Sequence, residues 1–313
     1  MQTHIIDVTE QNEKKRLDIV ITRLFPQYTR SNITRLIKTG CIQVNSLSKK
    51  ASYLVRNGDR INIIVPECQQ IEALPESIPL HVLYEDQDIL VINKQANLVI
   101  HPAPGHPGGT LVNALLHYND QHFSKVDRFG IVHRLDQDTT GCLVIAKNRQ
   151  SQNYLNTAFK ERTIKKRYQC VVHGQMNTQK GQIDLPIGRH PVNRKKMSTI
   201  GKHTRSAETH WKVSYQFQYF TLLDILLKTG RTHQIRVHCA AIHHPIVGDP
   251  LYGHQKNWRH YNPDVHAYLK KISRQMLHAY QLGFVHPTTQ KYIQFEAPLP
   301  QDMAGFLEWG QKS

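Results

Sequence analysis

The hydrophobic pattern near the start of the chain predicts a small unit of two helices and two strands. Apolar residues recur at helical spacing over residues 17–24, and a second helix is predicted over 31–39, ended by Gly40. Short strands follow over 41–45 and 60–65, with Asn57-Gly58-Asp59 as a turn between them. These elements predict a compact first domain over residues 14–75.

Apolar runs separated by short polar turns continue through a larger second domain, predicted over residues 76–313. Helices are predicted over 110–117, 150–161 and 232–242. Strands are more numerous and are predicted over 80–84, 89–93, 130–135, 142–146, 167–172, 209–215, 221–227 and 291–296. Because several strands adjoin through short turns, the pattern favours an α+β fold with a mixed, mainly antiparallel sheet over a doubly wound parallel one.

Charge is the feature of the composition that changes this picture. The 313 residues carry 40 Lys and Arg against 24 Asp and Glu, a formal net charge of +16. Charge is densest over residues 160–212, where 13 basic residues face three acidic ones, a net of +10. A dense basic run is compatible with a solvated surface, and it also suits a groove that follows a nucleic-acid backbone. Polyanions are therefore the first class of partner to consider.

Several common chemistries are excluded by missing motifs. The chain has no phosphate-binding GxxxxGK[ST] loop, no GxSxG nucleophile elbow and no HExxH metal motif. Its five cysteines are scattered, without a CxxC pair, which suits a reducing compartment. The first residues lack the order of a signal peptide, and no apolar run reaches the roughly 18 residues of a membrane span. We therefore expect a cytoplasmic protein, away from membranes, whose chemistry runs on side chains without a metal, nucleotide or other cofactor.

The segment from Gly130 to Gly141 contains the strongest candidate for catalysis. An apolar run leads into Arg134-Leu135-Asp136, and a polar turn ending at Gly141 follows. Alternation along the predicted strand places the side chains of Arg134 and Asp136 on one face. A carboxylate at the mouth of such a unit can serve as a nucleophile or base. Turns also favour aspartate for structural reasons, and this segment alone leaves both interpretations open.

Two further segments offer one candidate each. Tyr168 lies in a predicted strand entered from a basic helix end, where its ring can stack on a nucleobase or simply pack as a strand tyrosine. Arg231 lies between a glycine turn and a helix that Thr232 is expected to cap. The guanidinium of Arg231 can pair with a carboxylate from elsewhere in the chain or remain in solvent.

Taken together, these segments resemble the RluA-type pseudouridine synthase family. Order and spacing match over residues 133–141, 166–168, 230–236 and 248–249, and the earlier segments 84–86, 92–94 and 101–102 match as well. The resemblance spans nearly the whole chain. It departs at Gln95, where the family usually has proline, and at Cys142, where a larger apolar residue is common. Both departures are expected to affect local packing only.

The first domain resembles an S4 RNA-binding domain. The match consists of Arg16-Leu17-Asp18, the basic second helix, the strand from Gly40 to Asn45 and the Gly58-Asp59 turn. This resemblance implies binding to structured RNA, with the basic helix as the contact face. The contacts expected from that helix are Arg30, Arg35 and Lys38.

The family resemblance implies a role for each candidate residue. Asp136 is the nucleophile or base that breaks the N1–C1′ bond of a uridine, after which the base turns and bonds again through C5. The first step stays open, because the carboxylate can attack the sugar, attack the base or remove a sugar proton. Arg231 is expected to pair with Asp136, and Tyr168 to stack on the flipped uracil near C5. Arg134 is expected to fill the space left by that nucleotide or to hold a phosphate. Further RNA contacts are expected from the basic region, at Lys165, Lys166, Arg194, Lys195 and Lys196.

The function expected from this resemblance is isomerisation of specific uridines in large-subunit (23S) ribosomal RNA, and a monomer is expected by default. Two alternatives stay open. A non-catalytic RNA-binding protein would explain the charge and the first domain, and an enzyme of the same family could act on transfer RNA through the same site. Release of tritium from C5-labelled uridine in ribosomal RNA separates the first alternative from the enzyme.

Overall fold

The computed structural model describes residues 2–25, 30–65, 73–103, 107–193, 195–201, 203–253 and 261–312. The chain divides into two compact units, Met1–Glu72 and Ala73–Ser313. The pattern of the sequence places this division between residues 75 and 76, and the structure places it between 72 and 73.

The first unit combines two helices and a three-stranded antiparallel sheet around one apolar core. The helices are α1 (Leu17–Leu24) and α2 (Arg30–Lys38), and the sheet has the order β1 (Gln2–Asp7), β3 (Arg60–Val65), β2 (Ile42–Val44). β1 is not predicted from the sequence, and its pairing with β3 extends this unit well before residue 14. Leu17, Ile21 and Ile33 are buried, as helical spacing requires of the inward face.

A nine-stranded sheet forms the frame of the second unit. Its strands are β4 (His81–Glu85), β5 (Ile89–Lys94), β6 (Thr140–Ala146), β7 (Lys165–His173), β8 (Lys180–Asp184), β11 (Glu208–Gln216), β12 (Phe220–Leu227), β13 (Leu277–Val285) and β14 (Tyr292–Glu296). The order is β4-β5-β6-β13-β7-β12-β11-β8, and β14 pairs with β13 outside this path. Between β8 and β11, β9 (Gly188–Arg189) and β10 (Met197–Ser198) form a separate two-stranded pair.

Within the described residues, five helices accompany this sheet: α3 (Leu111–Phe123), α4 (Arg149–Glu161), α5 (Gln234–Ala241), α6 (Pro263–Leu269) and α7 (Gln301–Gly310). Within the described parts of the sheet, β6 and β13 pair in parallel, and the other named strand pairings are antiparallel. The predicted fold class, α+β with a mixed and mainly antiparallel sheet, is therefore confirmed.

The strand predicted over residues 130–135 is wrong. A short 3-10 helix spans Asp127–Gly130, and Ile131 alone makes an isolated antiparallel bridge, to Ile145. Two residues later the ring of His133 accepts a hydrogen bond from the backbone N–H of Val144, at 3.0 Å. That side chain takes the donor that a neighbouring strand would use, so the chain leaves the sheet edge as a loop.

Several elements are absent from the prediction, including β8, β13, α6 and α7. The central strand β13 is the most consequential, because it lies between β6 and β7. Seven of its nine positions are buried, which removes the alternation that identifies a half-buried strand. The helix predicted from residue 232 begins at Gln234, since His233 has a left-handed backbone (φ 54°) and Thr232 does not cap it.

Close approach of β6 to β13 requires a glycine at position 141. Gly141 has φ +114°, and a Cβ built there would lie 2.2 Å from the carbonyl oxygen of Ala279. We expect Gly141→Ala to lower the free energy of unfolding by about 3 kcal/mol or more, since both strain and a backbone clash result. Gly109→Ala is the control: φ is +67° there, but nothing lies within 4 Å of the added Cβ. Denaturant unfolding should show about 1–2 kcal/mol for the control, and equal losses would contradict the clash.

Candidate active site

A cavity of about 440 Å³ opens in the second unit, beside the loop that precedes β6. A volume of roughly 300–1,000 Å³ is typical of sites that enclose a small molecule or a single flipped group. Four segments supply the lining: residues 132–139, 159–168 and 227–236, and Leu277 of β13. Three of the sequence candidates, Asp136, Tyr168 and Arg231, are among the lining residues, and so is Arg134.

Asp136 lies at the turn that leads into β6. Its backbone carbonyl accepts a hydrogen bond from Thr139 N at 3.1 Å, so the residue does help to close a turn. Its side chain is 17% exposed and lines the cavity. The two interpretations left open by the sequence are therefore compatible, because the backbone of Asp136 builds the turn and its carboxylate faces the cavity.

A buried arginine holds the carboxylate of Asp136. Arg236, in α5, donates from Nη1 to Asp136 Oδ2 at 2.9 Å. Its Nε and Nη2 donate to the two oxygens of Asp249 at 2.7 and 2.9 Å, a bidentate pair whose carboxylate is fully buried. Burial opposes the charge of Arg236, but Asp249 and then Asp136 outweigh it and raise the pKa of its guanidinium. A charged donor therefore stands permanently beside Asp136.

The loop after α5 fixes Asp249 in turn. Oδ1 of Asp249 accepts the backbone N–H groups of Leu251 and Tyr252, at 2.9 and 3.0 Å. The Tyr252 ring lies 5.3 Å from the Arg236 guanidinium, within range of a cation–π contact. With Asp249 immobilised in this way, one edge of the guanidinium is committed and Nη1 remains for Asp136.

A fully buried lysine, Lys94, stabilises the turn that contains Asp136. Lys94 donates from Nζ to the backbone carbonyls of Gln95, Leu98 and Gln137, at 2.7, 3.0 and 2.8 Å. All three protons of the ammonium thus have an acceptor, which a buried cation requires. Burial lowers the pKa of Lys94 to about 7, against the opposite effect of the Asp138 and Asp136 charges. Lys94 therefore ties the chain after β5 to the residue that follows Asp136.

The aromatic wall of the cavity contains Tyr168, on β7, and Phe159, at the end of α4. Tyr168 is 8% exposed, and burial together with the Asp136 charge raises the pKa of its hydroxyl, which stays protonated. The Phe159 ring stacks on His133 with a centroid distance of 4.6 Å. Burial lowers the pKa of His133 to about 3, so this ring is neutral and can accept the Val144 N–H. The wall is thus flat, largely apolar and uncharged.

The predicted pairing of Arg231 with Asp136 is wrong. Arg231 lines the cavity, but its Nε donates to the backbone carbonyl of Ser206 at 3.2 Å. The cation that pairs with Asp136 is Arg236, which lies more than one helical turn after Arg231 in the sequence. A signal for Arg236 was present in the sequence, because it lies between Ile235 and Val237 in a predicted helix. A charged residue among buried apolar neighbours usually has a buried partner.

Comparison with known proteins decides the family. Residues 88–241 match the family model described as RNA pseudouridylate synthase, and residues 15–61 match that of the S4 domain. The RNA pseudouridine synthase YlyB of Bacillus subtilis is 42% identical over 307 residues, covering 97% of both chains. The chain belongs to the RNA pseudouridine synthase family. The resemblance inferred from the motifs is therefore confirmed, and the chain is an isomerase by family.

Other relatives of this pseudouridine synthase carry a narrower name. The ribosomal large subunit pseudouridine synthase D of Escherichia coli O157:H7 is 41% identical, over 96% of this chain and 92% of the relative. The Nitrosomonas europaea protein of that name is also 41% identical, over 94% and 83%. Among solved structures, human RNA pseudouridylate synthase domain containing 1 has a TM-score of 0.56 at 24% identity, covering 76% of this chain and 97% of its own, which shows the fold.

The predicted RNA contacts of this pseudouridine synthase fall in three groups. Arg35 and Lys38 are exposed on α2, whereas the Arg30 guanidinium is paired with Asp18 at 2.8 Å. Arg134 and Lys165 are exposed, the first on the rim of the cavity. Lys195 is exposed, Lys196 lies 5.8 Å from the Tyr252 ring, and Arg194 lies outside the described residues.

The side chains of Asp86, Asp88 and His286 lie close together, and none of them lines the cavity. Their geometry is that of a turn. Asp86 accepts backbone N–H groups from Asp88 and Ile89, both at 2.8 Å. His286 accepts two backbone N–H groups at Nδ1 and faces Asp86 with Nε2, so both ring nitrogens are engaged. Hydrogen bonds within the protein thus explain why these three side chains lie together.

No helix within the described ranges is long and apolar enough to cross a membrane.

Lys166 gives the cavity a pH-dependent charge. It is buried against the Phe159 ring, and burial, assisted by Arg162, lowers the pKa of its ammonium from 10.5 to about 8. Below pH 8 the group is a cation that can hold a phosphate, and above pH 8 that charge is lost. Because the folded pKa is the lower one, the fold itself is stabilised as the pH rises from about 8 towards 10.5.

We expect RNA affinity to fall between pH 7.5 and about 9, with a salt slope smaller by about one unit at the higher pH. Lys166→Arg should hold its affinity over this interval, since a guanidinium does not titrate there. Filter binding to ribosomal RNA at several salt concentrations measures both quantities. A parallel fall in the two proteins would show that Lys166 does not contact the RNA.

Proposed function

We propose that this pseudouridine synthase converts specific uridines of large-subunit (23S) ribosomal RNA to pseudouridine, with Asp136 as the reacting carboxylate. The observation that carries the proposal is the convergence of Asp136, Arg236 and Tyr168 on one cavity. Two relatives named for the ribosomal large subunit are 41% identical, over 94% and 96% of this chain. An S4 domain and a net charge of +16 suit a large structured RNA. Action on ribosomal RNA would place the protein in the cytoplasm.

The proposed reaction begins with a uridine turned out of its stack. A base inside folded RNA cannot reach a carboxylate in a cavity, so extrusion is needed, at a cost of a few kcal/mol. Arg134 is exposed at the rim, where it can fill the vacated space or hold a phosphate. Contacts between phosphates and the basic side chains Lys165, Lys166, Lys195 and Lys196 would offset part of the cost.

Chemistry then follows at Asp136. Arg236 holds the carboxylate of Asp136 in the cavity, and a carboxylate is a group that can attack carbon or remove a proton. The N1–C1′ bond breaks with its electron pair on the base, the base turns, and C5 bonds to C1′. The proton on C5 leaves and N1 ends protonated, so the product is an isomer and no redox partner is involved. Tyr168 supplies an aromatic surface for uracil in the same wall.

Tritium release tests the proposal. Ribosomal RNA transcribed with uridine tritiated at C5 should lose tritium to water when incubated with the protein, because that position exchanges its hydrogen for a bond to C1′. Transfer RNA labelled in the same way should release little. Binding to ribosomal RNA without release would favour the non-catalytic alternative, and preferential release from transfer RNA would favour the other substrate. Mapping pseudouridines in ribosomal RNA from cells that lack the protein would then identify the uridines.

A further inference from the structure

His233 lies in the cavity wall next to Asp136 and has no part in the scheme above. Its Nε2 is 3.9 Å from Asp136 Oδ1, which is too long for a hydrogen bond. Within the described residues, Nε2 of His233 makes no hydrogen bond, and the ring is held through Nδ1. The side chain is 18% exposed and lines the cavity. One ring nitrogen of His233 is therefore directed to the space that a flipped base would enter.

The other ring nitrogen is fixed by Tyr252. The hydroxyl of Tyr252 lies 2.9 Å from His233 Nδ1 and accepts the backbone N–H of Met197 at 2.7 Å. Among the described residues, His233 Nδ1 is the acceptor within hydrogen-bond distance of the Tyr252 hydroxyl proton, so the hydroxyl donates to Nδ1. Nδ1 is then the acceptor and the neutral ring carries its proton on Nε2. Burial lowers the pKa of His233, which keeps the ring neutral near pH 7.

Backbone geometry indicates that this placement is maintained against a local preference. His233 has φ 54°, a left-handed conformation disfavoured for residues with a side chain. It occupies the position before α5, yet its side chain makes no capping hydrogen bond. The ring is instead committed to Tyr252, with which it makes an edge contact at a centroid distance of 5.8 Å. Strain of this kind is common where a side chain must be aimed at a ligand.

Uracil develops charge where such a donor would help. When the N1–C1′ bond breaks, the base takes the electron pair and shares the negative charge between N1 and the carbonyl oxygens O2 and O4. Attack on the base instead drives electrons onto O4. Under each of the three first steps, a carbonyl oxygen becomes more negative in the transition state than in the bound uridine. A preorganised neutral N–H donor stabilises that charge more than it stabilises the ground state.

We propose that His233 is a further catalytic residue, whose Nε2–H donates to a carbonyl oxygen of the target uracil, with Tyr252 holding the ring in the required tautomer. This role rests on the proposed function, since it needs a uracil in the cavity. His233 neither gains nor loses a proton in the reaction. Asp136 acts on the glycosidic bond or the base while His233 stabilises the charge on the departing ring.

Two substitutions test whether Nε2 is the donor, because each places a side-chain amide at the position of one ring nitrogen of His233. In His233→Gln the side-chain amide reaches the position of Nε2, and in His233→Asn it reaches only that of Nδ1. We expect His233→Asn to lower the single-turnover rate on ribosomal RNA by about 100-fold or more, and His233→Gln to recover part of that loss. RNA affinity and thermal unfolding should change little in both. Equal rates for wild type and His233→Asn would overturn the proposal.

Thio-substituted RNA separates a contact with the base from a structural role. Ribosomal RNA is transcribed with 2-thiouridine or 4-thiouridine in place of uridine, and pseudouridine products are quantified by nucleoside chromatography. Sulfur accepts hydrogen bonds poorly, so one of the two substitutions should slow the wild-type enzyme more than it slows His233→Ala. Effects on RNA folding appear with both proteins and cancel in the comparison. Equal slowing of both proteins by each substitution would exclude the contact. If wild type forms no pseudouridine in unmodified RNA, the proposed function itself fails, which is a different result.

Discussion

Replacing Asp136 with asparagine is expected to abolish uridine isomerisation, lowering the rate by roughly 10⁴–10⁶-fold, as removal of a nucleophile does in other enzymes. An amide cannot attack C1′ or the base at a useful rate, and it cannot take a proton. Its size matches the carboxylate, so the hydrogen bond from Arg236 Nη1 can be kept at the amide oxygen. RNA binding should therefore remain close to the wild-type level. Tritium release under single-turnover conditions measures the chemistry, and filter binding measures the affinity.

Asp138→Asn is the matched control for this prediction. It removes the same charge from the same turn, and the Asp138 backbone carbonyl still accepts from Arg274 at 3.0 Å. The control should keep activity within several-fold of wild type, since the Asp138 carboxylate is not part of the cavity lining. Turnover retained in Asp136→Asn would remove Asp136 from the reaction. Equal losses in both variants would instead point to the total charge of the turn.

Local pattern was sufficient for the elements that carry the site. Short apolar runs bounded by turns predict strands over 167–172 and 221–227, and the structure has Lys165–His173 and Phe220–Leu227. A run of this kind is contained in a window of a few residues, so the local sequence carries the signal. The loop before β6 was misjudged for the opposite reason. The loop leaves the sheet because the His133 ring accepts the backbone N–H of Val144, which follows the turn. The spacing of apolar residues does not reveal a contact of this kind.

Local sequence pattern also does not determine which arginine pairs with Asp136. Arg231 and Arg236 lie in the same motif, and both are compatible with a cation near Asp136. Asp136 and Arg236 are 100 residues apart, so their pairing is a property of the packed fold. Asp249 decides between the two, because its buried carboxylate requires a partner in α5. The family resemblance identified the segment, and only the three-dimensional structure identified the residue within it.

Arg236→Ala is expected to lose both activity and stability, whereas Arg231→Ala should keep its stability. Removing Arg236 leaves the Asp249 carboxylate, which is fully buried, without its cation. Breaking a buried pair in this way costs about 3–5 kcal/mol. Activity should fall by at least 10³-fold, roughly the effect of removing a preorganised charged donor. Arg231 is partly exposed, and among the described residues its guanidinium donates only to the carbonyl of Ser206, so its removal should change the free energy of unfolding by about 0.5 kcal/mol or less.

A double variant separates the chemical role of Arg236 from its structural one. In Arg236→Met with Asp249→Asn, the fully buried charge of Asp249 is removed together with its partner, and the asparagine oxygen can still accept the backbone N–H groups of Leu251 and Tyr252. We expect this protein to unfold at nearly the wild-type denaturant concentration and to remain inactive, because Asp136 has lost its counter-charge. Recovery of turnover together with stability would show that Arg236 serves the fold alone. Full activity in Arg236→Ala, with loss in Arg231→Ala, would return the catalytic pairing to Arg231 and require the cavity to rearrange when RNA binds.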